Sequence, residues 1–276
     1  MFKLPLVNLV FLALTGITLA HPTAQQNTST FVPASTRSTL RRDPSSTTSG
    51  LATVYTSCIN KGQVAVTFDD GPYIYMKEIS DQLTQHGAKG TFFVNGNNYG
   101  CIYSDDNVAR IRYALSQGHE IASHTWSHPH LTELTSNQVK SELTRINDAL
   151  RKTLGIIPRF MRPPYGEYND EVRKVANSLG QSVVIWDQDS GDSDGYDMKY
   201  QKSIYKDFVS RNPKASGTAI FLNHETHDTT AHELLPYAIQ QLQSAGYQLV
   251  ALSVCLGIDP YLSQGAPSKK DSTWKC

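Results

Sequence analysis

Two histidines stand four residues apart in His124-Thr125-Trp126-Ser127-His128, and two adjacent aspartates stand in Asp69-Asp70-Gly71-Pro72. On a helical turn the first spacing puts both imidazoles on one face, within reach of one metal ion. Two imidazoles plus one carboxylate make a common catalytic zinc set, with a coordination position left for water or substrate. Neighbouring side chains on an extended strand point to opposite sides, so one aspartate can face a metal while the other faces the water to be activated. Each feature also has a bland explanation, since surface histidines at this spacing are common and Asp-Asp-Gly-Pro is a good turn sequence.

Further polar residues end short apolar runs in the same way. Phe160-Met161 leads to Arg162-Pro163-Pro164-Tyr165-Gly166, Val183-Val184-Ile185 to Trp186-Asp187, and Ala219-Ile220-Phe221-Leu222 to Asn223-His224. In isolation Arg162 would read as a surface ion pair and His224 as a satisfied core histidine. With the residues above they supply what hydrolysis of an amide requires: an activated water, a polarised carbonyl and a proton for a poor leaving group.

The runs that carry these residues predict strands at 64–69, 90–95, 120–125, 160–164, 182–187, 218–224 and 248–253. Helical patterns lie between them at 79–86, 108–117, 137–154, 170–179, 199–209 and 232–245, and Gly87, Gly118, Gly155, Gly180 and Gly246 fall where left-handed caps belong. Alternating strands and helices imply right-handed βαβ units and a parallel sheet. About seven such units suit an α/β architecture of the distorted (β/α) barrel kind, in which the C-terminal ends of the strands share the face that carries the active site. Five separate segments then converge on one mouth.

The chain has 276 residues, with 25 Lys plus Arg against 25 Asp plus Glu. That balance provides no basic field for nucleic acid or an anionic membrane. Lys3 followed by an apolar run to Leu14 and by Thr18-Leu19-Ala20 predicts a secretory signal peptide over residues 1–20, short for a membrane span, with a retained anchor as the alternative. Residues 21–50 are rich in Thr, Ser, Pro and Gln and predict disorder. They include the sequon Asn27-Thr28-Ser29 and the pair Arg41-Arg42, which is either a processing site of a propeptide or part of a plain linker. The catalytic domain is expected over 51–276. Four cysteines in a secreted chain suggest two disulfides with three pairings. Cys58 and Cys255 flank the folded region, which favours joining them and leaves Cys101 for Cys276.

Thr67-Phe68-Asp69-Asp70-Gly71-Pro72, His124-Thr125-Trp126-Ser127-His128, Arg162-Pro163-Pro164-Tyr165-Gly166 and Leu222-Asn223-His224 resemble the successive motifs of the polysaccharide deacetylase family. This is the NodB-homology or carbohydrate esterase family 4 group, which includes fungal chitin deacetylases. The resemblance spans roughly residues 62–256 and implies a distorted barrel. It implies that Asp70, His124 and His128 bind a metal, usually zinc, although another divalent transition metal would serve. It implies Asp69 as general base toward water, His224 as general acid toward the departing amine, and Arg162 as the cation that keeps Asp69 ionised. The Tyr165 backbone N–H would stabilise the oxyanion, and Leu222 and Trp186 would floor the site against the acetyl methyl group. The fourth motif departs from the family: Trp186-Asp187-Gln188-Asp189-Ser190-Gly191-Asp192 is followed by Ser193 where tryptophan is usual. Asp192 remains to orient or tune His224, with Arg162 as a candidate intermediary, while the missing ring puts substrate fit in question. Asp194-Gly195-Tyr196-Asp197 is either a sugar-contacting loop or a solvated acidic turn.

The expected protein is thus a secreted, extracellular or cell-wall hydrolase that releases acetate from N-acetylglucosamine units of chitin or chito-oligosaccharides. Its partner would be the polysaccharide, with no nucleic acid or membrane, and it would act as a monomer. Acetylxylan, peptidoglycan and galactosamine glycans are rival substrates. A non-catalytic glycan-binding module is the rival class, one expected to lack Asp69, His224 or a metal ligand.

Overall fold

The computed structural model describes residues 50–276. The expected signal peptide, the sequon, the dibasic pair and the 21–50 segment up to residue 49 lie outside the described residues. The strands are β1 (Val54–Tyr55), β2 (Gln63–Gly71), β3 (Thr91–Val94), β4 (Glu120–Ser123), β5 (Ile156–Pro158), β6 (Phe160–Met161), β7 (Ser182–Val184), β8 (Gln188–Asp189), β9 (Ala219–His224), β10 (Gln248–Leu249) and β11 (Tyr261–Gln264). The helices are α1 (Met76–Gln85), α2 (Asp105–Ser116), α3 (Ser136–Leu154), α4 (Asp170–Ser178), α5 (Met198–Arg211), α6 (Leu235–Ser244) and α7 (Leu252–Leu256).

Nine strands form one sheet in the order β1-β7-β6-β4-β3-β2-β9-β8, with β10 also on β2. Every pairing in it is parallel, as the alternation of strands and helices predicts. The sheet curls into a distorted barrel that β1 and β8 leave open, because each pairs on one side only. These two-residue strands, and the antiparallel pair β5–β11, are the elements that periodicity does not predict. The expected strand 248–253 is cut short: from Leu252 the chain turns into α7, whose Leu252, Cys255 and Leu256 face the interior instead.

Side-chain alternation divides the core in two. Val64, Val66 and Phe68 of β2, Phe92 and Val94 of β3, and Phe221 of β9 pack outward beneath α1, α2 and α6. Ala65, Phe93, Ala122, Phe160, Val184 and Ile220 point inward and fill the barrel, and α7 closes one end. The Cys58–Cys255 disulfide pins that closed end, and Cys101–Cys276 ties the C-terminal tail to the β3–α2 connection. Both pairings are the ones the flanking positions favoured. Above the apolar filling the inward positions turn polar, from Thr67 and Arg162 to Asp69 and His124 at the mouth.

Candidate active site

The mouth holds a cavity of about 450 Å³ lined by Asp69, Asp70, His124, His128, Tyr165, Trp186, Asp189, Ser193, Asp194, Leu222 and His224. Eight of these eleven were singled out from sequence; Asp189 and Ser193 had been read only as parts of the fourth motif, and Asp194 as part of its loop. Arg162 and Asp192 do not line the cavity but lie behind residues that do.

The backbone reaches this arrangement by a route that strand and helix periodicities do not describe. Asp69 and Asp70 both face the cavity, because Asp70 is left-handed at φ 72° and its side chain swings to the same side as its neighbour's. Simple strand alternation therefore does not apply there. Nor do His124 and His128 share a helical turn. They follow β4 in an irregular segment where Thr125 (φ 71°) and His128 (φ 59°) are left-handed, and the Thr125 hydroxyl accepts the His128 N–H at 3.1 Å. The two rings end 5.0 Å apart by centroid.

Asp70, His124 and His128 form a group able to hold a metal ion. Asp70 Oδ1 is 3.3 Å from His128 Nε2 and 3.6 Å from His124 Nε2. Tetrahedral ligands roughly 2.1 Å from a zinc ion stand about 3.4 Å apart, so the spacing fits. His124 Nδ1–H donates to the Arg162 carbonyl at 2.8 Å, which leaves Nε2 with its lone pair toward the cavity. Burial pushes the His124 pKa down to about 3, so the ring stays neutral, as a ligand must.

Arg162 is fully buried under the site. Its Nη1 donates to Asp69 Oδ1 at 2.7 Å and to Thr67 Oγ1 at 2.8 Å, and its guanidinium carbon lies 4.1 Å from the Phe93 ring centroid. The expected Arg162–Asp69 pair is present, yet its expected effect is not the dominant one. Burial raises the Asp69 pKa more than Arg162 and His224 lower it, so the carboxyl sits above its ordinary range.

Asp69 and His224 are directly paired in the parallel register of β2 and β9. Asp192 accepts both the His224 backbone N–H (2.7 Å) and its Nδ1–H (2.8 Å), and also the Thr230 hydroxyl (2.7 Å). Asp192 thus acts on His224 directly rather than through Arg162. Burial opposes charge on His224, but the hydrogen bond and charge of Asp192, with Asp69 and Asp70, lift its pKa to about 9. Burial likewise opposes charge on Asp192, and its bonds to His224 and Thr230 hold it below the ordinary range.

Trp186 and Leu222 supply apolar wall, and Trp186 lies against Gly166, where a Cβ would reach within 2.9 Å of the indole. Tyr165 is left-handed and 55% exposed, and its ring stacks on His130 at 3.9 Å. The 194–197 segment splits between its two readings. Asp194 lines the cavity, whereas Asp197 caps α5 by accepting the Tyr200 N–H at 2.8 Å. Tyr196, 48% exposed, stacks on Tyr200 with centroids 4.1 Å apart.

Three further residues contact this machinery and were not anticipated. Asn95 is buried and donates to the carbonyls of His124 and Thr125, and Asn98 donates to Asp70 Oδ1 at 3.3 Å. Glu225 accepts the Tyr73 N–H at 2.9 Å, and its own N–H donates to the Asp69 carbonyl at 3.2 Å. Its carboxyl fills the space where a Cβ at Gly71 would stand, and burial raises its pKa well above the ordinary value. The strand-end rule that picked out His124 would have reached Asn95 and Glu225, since each is the polar residue next after an apolar strand or its terminal histidine.

A family model described as polysaccharide deacetylase matches residues 56–184. A chitin deacetylase of Pestalotiopsis sp is 36% identical over 224 residues, which cover 81% of this chain and 73% of that protein. A probable peptidoglycan-N-acetylglucosamine deacetylase of Arthroderma benhamiae is 37% identical over 208 residues, 75% of this chain but only 46% of that protein. The solved chitin deacetylase of the fungal pathogen Colletotrichum lindemuthianum superposes with a TM-score of 0.73 at 30% identity, over 78% of this chain and 96% of that one. With the motif residues gathered around one cavity and relatives of this closeness, the chain belongs to the polysaccharide deacetylase family.

Proposed function

We propose that this protein is a secreted, zinc-dependent chitin deacetylase, converting N-acetylglucosamine units to glucosamine with release of acetate. The observation that carries the proposal is the single cavity in which the Asp70–His124–His128 group, Asp69 and His224 meet. Asp70, His124 and His128 would hold the ion, and two imidazoles with one carboxylate suit zinc, with another divalent transition metal as the alternative. A divalent ion there supplies Lewis acidity toward the amide carbonyl and lowers the pKa of water.

The chain's own residues account for the proton transfers. Asp69, held by Arg162 and Thr67 in one orientation, takes a proton from the attacking water, and its raised pKa makes it a stronger base. A C–O bond forms, and the Tyr165 N–H is assigned to the carbonyl oxygen as charge builds there. His224, kept protonated by Asp192, gives its proton to the amide nitrogen as the C–N bond breaks. Leu222 and Trp186 contact the acetyl methyl group and exclude water from it.

Chitin is favoured over rival polymers by two of the three named relatives and by charge. The cavity lining includes Asp69, Asp70, Asp189 and Asp194 and contains no lysine or arginine. That lining suits a neutral acetylated glycan whose product is an ammonium ion, and it disfavours the carboxylates of peptidoglycan. The stacked Tyr196–Tyr200 pair beside Asp194 offers a sugar-stacking surface where the usual motif-four tryptophan is replaced by Ser193. The two disulfides support an oxidising, extracellular setting.

The test is acetate release from chitin oligomers, acetylxylan and peptidoglycan by purified protein, before and after chelation and after zinc is restored. Activity indifferent to chelation would sink the metal assignment. Release from no acetylated glycan with metal bound would point instead to a binding module.

A further inference from the structure

In the sheet order, β3 lies between β4, which leads into His124 and His128, and β2, which ends in Asp69 and Asp70. The segment leaving β3, residues 95–98, is therefore adjacent to both ligand-bearing segments, and it is bonded to each. The Asn95 N–H donates to the Gly71 carbonyl at 2.7 Å, next to Asp70. The Asn95 side-chain amide donates to the His124 and Thr125 carbonyls, Gly96 N–H to Thr125 at 3.3 Å, and Asn97 N–H to Trp126 at 2.7 Å. Asn98 then uses one amide nitrogen for two acceptors, Asn95 Oδ1 at 3.2 Å and Asp70 Oδ1 at 3.3 Å.

Asp70 Oδ1 is the oxygen that stands between the His124 and His128 imidazole nitrogens. A carboxylate oxygen has two lone-pair directions, so an amide donor on one leaves the other for a cation and fixes where it points. We propose that Asn95 and Asn98 are positioning residues for the metal centre: Asn95 sets the spacing between its aspartate and histidine segments, and Asn98 orients the Asp70 oxygen. The proposal rests on the reading of Asp70, His124 and His128 as metal ligands. It assigns to the β3 terminus a role that the motif residues do not cover.

Asn98 is exposed, so Asn98→Ala removes the amide without opening the core. The experiment strips the protein with a chelator and titrates cobalt(II) and zinc(II) by calorimetry, while the visible cobalt spectrum reports ligand geometry. Outer-shell partners are typically worth about 10–100-fold in metal affinity. For Asn98→Ala we expect about a tenfold rise in Kd and an altered cobalt spectrum, with the melting temperature of the metal-free protein unchanged. Asn95→Asp, equal in shape but without the donor, should weaken binding further. An Asn98→Ala Kd within threefold of the parent overturns the proposal, as does a loss of affinity matched by a loss of metal-free stability. If the parent protein binds neither ion, the ligand reading itself has failed, and the titration separates that outcome from the other two.

Discussion

Asp192 holds His224 by two bonds at once, one to the backbone N–H at 2.7 Å and one to Nδ1–H at 2.8 Å. The first fixes where the residue sits and the second fixes which ring nitrogen carries the proton, so Nε2 is left toward the cavity. The same carboxylate lifts the His224 pKa to about 9 against the pull of burial. The general acid proposed here must be protonated to act, so activity should be lost as pH rises through that value, and a cation beside Asp70 would place the limb at or below about 9. Asp192→Asn removes the charge and the tautomer control. We expect the alkaline limb of kcat to move down by about one pH unit or more, with kcat reduced at least tenfold at pH 8. An unchanged limb, read from acetate release between pH 6 and 10, would remove Asp192 from this role.

Asp69→Asn tests the base. Asn keeps an oxygen that can accept from Arg162 Nη1, so the buried guanidinium retains this hydrogen bond although it loses its counter-charge, and folding of the variant is checked by its melting temperature. Turnover should fall by about a hundredfold or more, within the range of a lost general base. Metal affinity should stay within a fewfold of the parent, because Asp69 lies outside the Asp70–His124–His128 group. Retained turnover would refute the assignment.

Metal removal should also cost stability. An ion bound only by the folded state at a hundred times its Kd contributes about 2.7 kcal/mol, or roughly 5–10 °C in melting temperature for a domain of this size. The shift on chelation should disappear in a His128→Ala variant.

The strand ends were legible in the sequence because an apolar run that stops at Asp69, His124, Arg162 or His224 leaves little doubt which end faces the mouth. Six of the seven helices of the described residues, α1 to α6, were legible too, since their periodicity spans two turns or more and a glycine follows five of them, whereas α7 was read as strand. What escaped was local backbone. Asp70, Thr125, His128 and Tyr165 are left-handed without being glycine, and no propensity rule anticipates a strained residue held by its neighbours. Strands β1 and β8 are two residues long, too short for any period to register. Asn95 and Glu225 escaped for a different reason. Both stand just past a strand end, where the rule that picked out His124 would have reached them, but their work is to bond other residues' main chain, which no motif spacing marks.

The buried neighbours His119 and Glu120 make a separate prediction about pH. His119 Nδ1 accepts the Gly90 N–H and its Nε2–H donates to the Ser80 carbonyl, so the ring is neutral, and burial lowers its pKa from 6.5 to about 4. The folded state then binds fewer protons than the unfolded one between those values, and stability rises with pH across that window. Glu120 behaves in the opposite sense. Burial raises its pKa from 4.5 to about 7, while Oε2 accepts the Ser253 N–H and Oε1 has no partner. The folded state keeps a proton that the unfolded state has lost, so this residue's contribution falls as pH rises from 4.5 to 7. The two slopes oppose each other between 4.5 and 6.5 and conceal one another in the parent protein. Glu120→Gln, which resembles the protonated acid, exposes them. Relative to the parent it should be nearly neutral at pH 4 and more stable at pH 8 by about 1–3 kcal/mol, at about 1.4 kcal/mol per pKa unit. Urea midpoints at the two pH values decide it: equal differences at both would mean that folding does not shift the Glu120 pKa.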